Sequence, residues 1–243
     1  MSIRIAMWSG PRNISTAMMR SFEARGDCAV TDEPLYAAYL DRTGLGHPMR
    51  EEIIASQSRD SCELASILRG PVPGGKALWY QKHMTLHMLK EFDHSWFSEV
   101  QHAFLIRKPL AVLASYVEKR TEVTLEDIGF VQQRELYETV AARCETAPPV
   151  IDADDILANP ERALLVLCEA LGIDFTPAML RWPAGRRASD GVWAPAWYQS
   201  VERSTGFTPP KARNRTALTA HLQNLADQAQ PHYEALWNLR LRF

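Results

Sequence analysis

A chain of 243 residues with 46% hydrophobic content can fill a sizeable core. Its formal charge of −2 argues against a general nucleic-acid or membrane-surface binder while leaving room for a local basic pocket. No apolar run approaches a membrane span and residues 1 to 9 are too short for a signal peptide, so a cytoplasmic protein is expected.

In chain order, "IRIAMWS" (3–9) reads as a buried strand closed by Gly10-Pro11. Ile14 to Ala24 reads as a helix, with Ala17, Met18 and Phe22 on one face. "DCAVTDEP" (27–34) gives a second strand, ended by Pro34. Residues 35–70 are helix-prone, with a loop at 42–48. "GKALWYQKH" (75–83) restores a strand, and a short helical segment runs on through Leu89. "EVQHAFLIRKP" (99–109) is the clearest buried strand, and the helix 110–120 starts just after Pro109. Residues 124–145 read as one long amphipathic helix, 148–156 as a strand, 160–171 as a helix, and 217–240 as a final helix. Strands alternating with helices imply an α/β fold with a mostly parallel sheet covered on both faces. One domain spanning 1–243 is expected, with 182–243 a loop-rich and helical extension of it. Cys28, Cys62, Cys144 and Cys168 show no paired-ligand spacing and read as small core residues.

Ligands of open parallel sheets bind beyond the carboxyl ends of the strands, so the turn after the first strand is the first place to look. There a helix start would present free N–H groups and a positive dipole end. Arg12 adds a bidentate charge, and Ser15 and Thr16 add hydroxyls. The plain alternative is a helix start that Ser15 caps, with Arg12 solvated. The loop lacks the Gly-Lys-Ser/Thr of Mg-ATP-binding loops, which counts against a kinase or ATP hydrolase.

Residues 9–16, Ser-Gly-Pro-Arg-Asn-Ile-Ser-Thr, resemble the 5′-phosphosulfate loop of the sulfotransferases. Arg12 stands where that loop commonly carries lysine, and Ser15-Thr16 where it carries two threonines. The resemblance implies a P-loop NTPase-like sheet flanked by helices, and 3′-phosphoadenosine 5′-phosphosulfate (PAPS) as sulfuryl donor, with no metal. Gly10, Pro11, Arg12, Asn13, Ile14, Ser15 and Thr16 would hold the 5′ side. Arg107 and Ser115, in "IRKPLAVLASY", sit at the family's spacing for the 3′-phosphate. "RRASDGVW" is similar to the family's Arg-Lys-Gly-x-x-Gly-Asp-Trp segment, which assigns Arg186, Arg187 and Gly191 to the donor, although Ala188 and Val192 depart from it. "IDADDILANPERALLVLCEALGI" (151–173) resembles a structural segment of the family. Asp152, Asp154 and Asp155 are therefore read as solvated or helix-capping carboxylates instead of a metal cluster.

The same family often places a lysine and a catalytic histidine after the third strand. Here Lys82 and His83 stand one residue out of the common register, and His87 follows. His83 is the first candidate for general base, with Lys82 and Arg12 neutralising the departing phosphate. Glu33, after the second strand, is the competitor that some bacterial carbohydrate sulfotransferases suggest. His83 and His87 as a metal pair would lack a third ligand. Trp193, Trp197 and Tyr198, with Trp79 and Tyr80, could wall an acceptor pocket or belong to the core. The expected function is sulfuryl transfer to a hydroxyl of a small-molecule or carbohydrate acceptor. A non-catalytic PAPS- or PAP-binding module and a P-loop kinase or nucleotide phosphohydrolase are the alternatives. The sequence specifies neither the acceptor nor an oligomeric state.

Overall fold

The computed structural model describes residues 2–117, 123–208 and 219–243. Five strands, β1 (Ile3–Ser9), β2 (Cys28–Asp32), β3 (Leu78–Met84), β4 (Gln101–Ile106) and β5 (Val150–Asp152), form one parallel sheet in the order β2-β3-β1-β4-β5. Parallel neighbours need crossovers, and helices supply them. Helix α1 (Ser15–Glu23) joins β1 to β2, and α2 (Tyr36–Thr43), α3 (Arg50–Ser56) and α4 (Ser61–Leu68) lie between β2 and β3. Between β4 and β5 come α5 (Pro109–Tyr116), α6 (Leu125–Ile128) and α7 (Phe130–Ala141). After β5 follow α8 (Ala153–Ala158), α9 (Pro160–Ala170), α10 (Ala194–Trp197), α11 (Gln199–Glu202) and α12 (Ala220–Trp237).

Strand alternation sorts the core into two layers. On one face Ile5, Met7, Leu78, Tyr80 and Leu105 pack with Met18, Met19 and Phe22 of α1 and Leu164 and Leu167 of α9. On the other, Ala6, Trp8 and Phe104 pack with Leu113 of α5, Tyr137 of α7 and Tyr233 of α12. A third cluster joins Tyr36 and Leu40 of α2 to Trp193 and Tyr198 of the C-terminal segment.

The strand assignments hold within a few residues, and the differences have local causes. The expected strand 148–156 stops at Asp152, whose carboxylate accepts the Asp154 N–H at 2.7 Å and turns the chain into α8. The expected helix 124–145 breaks at Gly129, which takes the left-handed region at φ 70°. A Cβ there would also stand 3.1 Å from the Leu86 side chain. After β3 the helical segment is only a 3₁₀ turn, Thr85–His87. Residues 118–120 of the expected fifth-strand crossover helix and 217–218 of the final one lie outside the described residues. Cys28 and Cys168 are buried as expected, but Cys62 is exposed and Cys144 half-buried.

Candidate active site

The turn after β1 is held from three sides. The Asn13 amide donates to the Leu105 carbonyl at the end of β4 at 2.6 Å, and Gln133 of α7 donates to the same oxygen at 2.9 Å. Thr85 donates to the Ser9 carbonyl at 3.4 Å, tying the ends of β3 and β1 together. Arg107 Nη1 donates to the Arg12 carbonyl at 2.6 Å, and Arg12 Nε donates to Ser115 Oγ at 3.0 Å. The turn forces Arg12 (φ 57°) and Ile14 (φ 42°) into the left-handed region that non-glycine residues avoid. Helix α1 then starts with no side-chain cap and no acidic residue in its first turn. Its leading N–H groups, with Ser15 and Thr16 beside them, carry the positive end of the helix dipole. Arg12, Arg107 and Ser115, drawn from separate segments of the sequence, meet at this turn.

A second group forms at the carboxyl ends of β2 and β3. Asp32 is in register with Lys82, so the two side chains leave the same face. The Lys82 ammonium donates to Asp32 Oδ1 at 2.8 Å, to Tyr198 Oη at 2.9 Å and to Glu33 Oε1. An ammonium has three hydrogens, and these three acceptors engage them all. Lys82 thus directs its hydrogens to these three acceptors, where the sequence reading assigns it to a departing phosphate. Lys82 is fully buried; burial alone would lower its pKa, but Asp32 and Glu33 hold it well above the ordinary lysine value. Glu33 is also buried and stands at φ 39°, a strained backbone for a residue before proline. Burial raises its carboxyl above the usual range, with Lys82 pulling it back and Asp32 adding to the rise.

His83 goes elsewhere. Neighbours on a strand point to opposite faces, and β3 continues through Met84, so His83 leaves the sheet on the side away from Lys82. It lies stacked on Trp8 and Trp96, with ring centroids 4.4 Å and 5.3 Å away, and its Nε2 is 3.3 Å from Gln81 Oε1. Burial, reinforced by His102 and Lys82, keeps it well below the ordinary histidine value. The structure thus does not bring His83 to Lys82 and Glu33. His87 does reach them: its Nδ1 is 3.7 Å from Glu33 Oε2, and its ring is stacked on Tyr36 at 4.3 Å and Tyr39 at 4.8 Å. Since β3 runs through Met84, His83 and His87 share no helix face, and the paired-ligand geometry is absent.

The segment "RRASDGVW", assigned above to the donor by resemblance, is held here by carboxylates and a backbone carbonyl. Arg187 Nη2 donates to the Pro183 carbonyl at 2.6 Å and its Nε is 3.7 Å from Glu23, while Arg186 is 3.8 Å from Glu202. Glu23 closes α1, about 12 Å along the helix from Ser15. Both guanidiniums are thus paired with carboxylates, and Arg187 is held at the end of α1 opposite the loop. Gly191 has a steric reason: a Cβ there would stand 2.2 Å from the Trp193 ring. Its N–H donates to Asp32 Oδ2 at 3.0 Å. Trp193 and Tyr198 are buried, and Trp79 and Tyr80 lie within the sheet, so these rings belong to the core. Trp197 is half-buried against the same cluster. Asp154 and Asp155 pair with Lys108 at 2.9 Å and Arg240 at 3.1 Å, and Asp152 caps α8.

Sequence reasoning missed Asp32 and the buried pair Arg20–Asp190, at 2.6 Å. Asp32 was adjacent to a named candidate; its signal would have been strand register, which is a long-range property.

A family model described as Sulfotransferase domain matches residues 3–239. The chain belongs to the sulfotransferase domain family. Among curated proteins, this sulfotransferase domain is 38% identical over 234 residues to branched-chain-amino-acid aminotransferase-like protein 1 of Arabidopsis thaliana. It is 37% identical over 233 residues to protein 2 of the same name and plant. Each match covers 96% of this chain but only 41% of the relative, so the domain spans well under half of those proteins. Among solved structures it resembles the sulfotransferase domain of the curacin biosynthetic pathway (TM-score 0.56, 14% identity, 95% of this chain and 98% of that one). It likewise resembles the sulfotransferase domain of the Synechococcus PCC 7002 olefin synthase (TM-score 0.56, 15% identity, 96% and 95%). A sulfotransferase from Alicyclobacillus acidocaldarius gives a TM-score of 0.52 at 11% identity, covering 99% and 98%. These likenesses establish the P-loop-like α/β fold. No helix among the described residues is long and apolar enough to cross a membrane.

Proposed function

We propose that this sulfotransferase domain transfers the sulfuryl group of PAPS to a hydroxyl of a small-molecule or carbohydrate acceptor. The observation that carries the reading is the meeting of Arg12, Arg107 and Ser115 on the strained turn before α1. Two guanidiniums, a hydroxyl and an uncapped helix start make a donor set suited to phosphate oxygens. PAPS, when bound, supplies a sulfuryl group attached to a phosphate leaving group. The α1 amides, Arg12, Ser15 and Thr16 would hold that phosphate, with Gly10, Pro11, Asn13 and Ile14 shaping the turn. Arg107 and Ser115 would hold the 3′-phosphate. Losing one such fixed donor typically costs on the order of 10² to 10³ in rate.

Glu33 takes the role of base in this reading, in place of His83. It follows β2, and β1 is two strands away in the sheet. That separation is about 10 Å at the backbone, room for a sulfuryl group and an acceptor hydroxyl. Burial raises the Glu33 carboxyl above the ordinary carboxylate value and so makes it a stronger proton acceptor, whereas His83 is enclosed by tryptophan rings. Lys82 holds Glu33 in place, and His87 lies beside its second oxygen.

The test begins with nucleotides. PAP should raise the melting temperature more than ADP or AMP, because it alone carries a 3′-phosphate; equal shifts would refute the donor assignment. Arg107→Ala should weaken PAP binding by about ten- to a hundredfold, read by calorimetry. Glu33→Gln should keep PAP binding and lose about 10² to 10⁴ in PAP formation, followed by mass spectrometry with candidate acceptors. A Glu33→Gln protein that retains full turnover would return the base to His87 or His83.

A further inference from the structure

Two carboxylates compete for one buried ammonium beside the proposed base. Lys82 reaches Asp32 and Glu33 at once, and its third hydrogen goes to Tyr198. The two acids are not held alike. Asp32 receives Lys82, the Gly191 N–H at 3.0 Å and the Tyr198 hydroxyl, which stands 2.7 Å from Oδ2. Tyr198 spends its only hydrogen there, and accepts from Lys82 and from Trp193 Nε1 at 3.1 Å. Glu33 has Lys82 on one oxygen, and its other oxygen is only within 3.7 Å of His87 Nδ1. The C-terminal segment thus invests its donors in Asp32 and none of those described in Glu33.

We propose that Asp32 is a positioning residue for the Glu33 site: by holding a share of the Lys82 charge, it leaves Glu33 as the carboxylate that takes up and releases a proton. The proposal rests on the reading of Glu33 as base and adds the partner that tunes it. Geometry carries it. Were Lys82 given wholly to Glu33, the full ammonium charge would hold that carboxylate ionised and weaken it as a base. With Asp32 in register on the adjacent strand, the ammonium is divided and Asp32's negative charge opposes ionisation of its neighbour. The groups facing Glu33 are Lys82 of β3, Asp32 of β2 and His87 of the following turn, with Tyr198 behind Lys82. The direction given above for Glu33, raised by burial and further by Asp32, agrees with this division.

The experiment follows the Glu33 carboxyl directly, by carbon NMR of the full chain labelled at glutamate Cδ, with Glu33→Gln identifying the resonance. Asp32→Asn should lower the Glu33 titration midpoint by about one pH unit, because Lys82 is no longer shared and a like charge is gone. Tyr198→Phe removes one oxygen and leaves the packing, and it should shift Glu33 the opposite way. Lys82 then loses only a neutral acceptor and keeps its full charge between the two acids, while Asp32 loses a donor, so its less compensated charge opposes the ionisation of Glu33 more strongly. Opposite shifts support the proposal. Shifts in the same direction, or none, overturn it, as does an unmoved Glu33 in Tyr198→Phe should Asp32→Asn fail to fold. PAP affinity, measured on the same samples, belongs to the donor loop and should not change in either variant. A chain that shows the opposite shifts but binds no PAP upholds this inference and refutes the proposed function.

Discussion

Lys82 and His83 are adjacent on β3, yet one enters a network of formal charges and the other a stack of neutral rings. On the Lys82 side, Asp32, Glu33 and Tyr198 surround an ammonium with every donor engaged. On the His83 side, Trp8, Trp96 and His102 are packed ring to ring, and Trp8 Nε1 donates to His102 Nδ1 at 2.9 Å. His102 Nε2 lies 2.9 Å from the Phe97 carbonyl; since Nδ1 accepts, Nε2 must carry the proton and the ring must be neutral. One side of the sheet therefore buries charge by compensating it, and the other buries titratable groups by keeping them uncharged. The difference shows that burial does not by itself say what a polar residue is for. The compensated side carries the carboxylate proposed above as the base, while the His83 ring is packed between Trp8 and Trp96.

The largest effect should come from breaking the compensation. Lys82→Met leaves Asp32 and Glu33 buried without their shared cation, and removing one member of such a group typically costs about 3 to 5 kcal/mol. Urea unfolding checks this, and a cost below 1 kcal/mol would mean that water already screens the cluster.

Acid should separate the two faces. His102 is lowered by burial from 6.5 to about 4, so between those values the unfolded chain binds the proton that the folded chain refuses. Stability is complete above the unfolded value and falls as the pH drops from about 6.5 toward 4, by on the order of 3 kcal/mol from His102. His83 and His87, also lowered, act in the same sense. Glu33 acts in the opposite sense. Its folded value is raised, so the folded chain binds the extra proton, and acid relieves its penalty until the unfolded carboxyl also titrates. Urea melts from pH 8 to pH 5 should show the lowered histidines prevailing over Glu33, and a flat profile would contradict the neutral assignment of His102.

The smallest change sharpens the contrast. His83→Phe keeps a flat ring between Trp8 and Trp96 and gives up only the contact with Gln81, so it should cost less than about 1.5 kcal/mol. PAP binding should be unaltered, checked by calorimetry; a folded variant that loses turnover would restore His83 as the base.

Local signals made much of this visible in advance. A short, largely apolar run closed by Gly10-Pro11 could be read as β1, and the strand does end at Ser9. That Arg107 follows a strand and Ser115 lies about two turns along the next helix could also be read, because Pro109 marks the helix start. The side from which Lys82 and His83 emerge could not, since it depends on β3 reaching Met84 instead of turning helical. Arg186 and Arg187 were assigned to the donor by resemblance to a family segment, and nothing nearby in sequence announces their partners Glu202 and Glu23. The Tyr198–Asp32 contact joins residues 166 positions apart, beyond any pattern of spacing.

That long reach also sets an order of assembly on the ribosome. All five strands are complete by Asp152, but Tyr198 is synthesised 46 residues later, a delay of about 2 to 9 s at ordinary elongation rates. During that interval Lys82 and Asp32 lack the hydroxyl and the Gly191 amide that complete their cluster. A nascent chain can thus align its sheet while its proposed proton-handling centre is still open, and the centre closes only when the C-terminal segment returns.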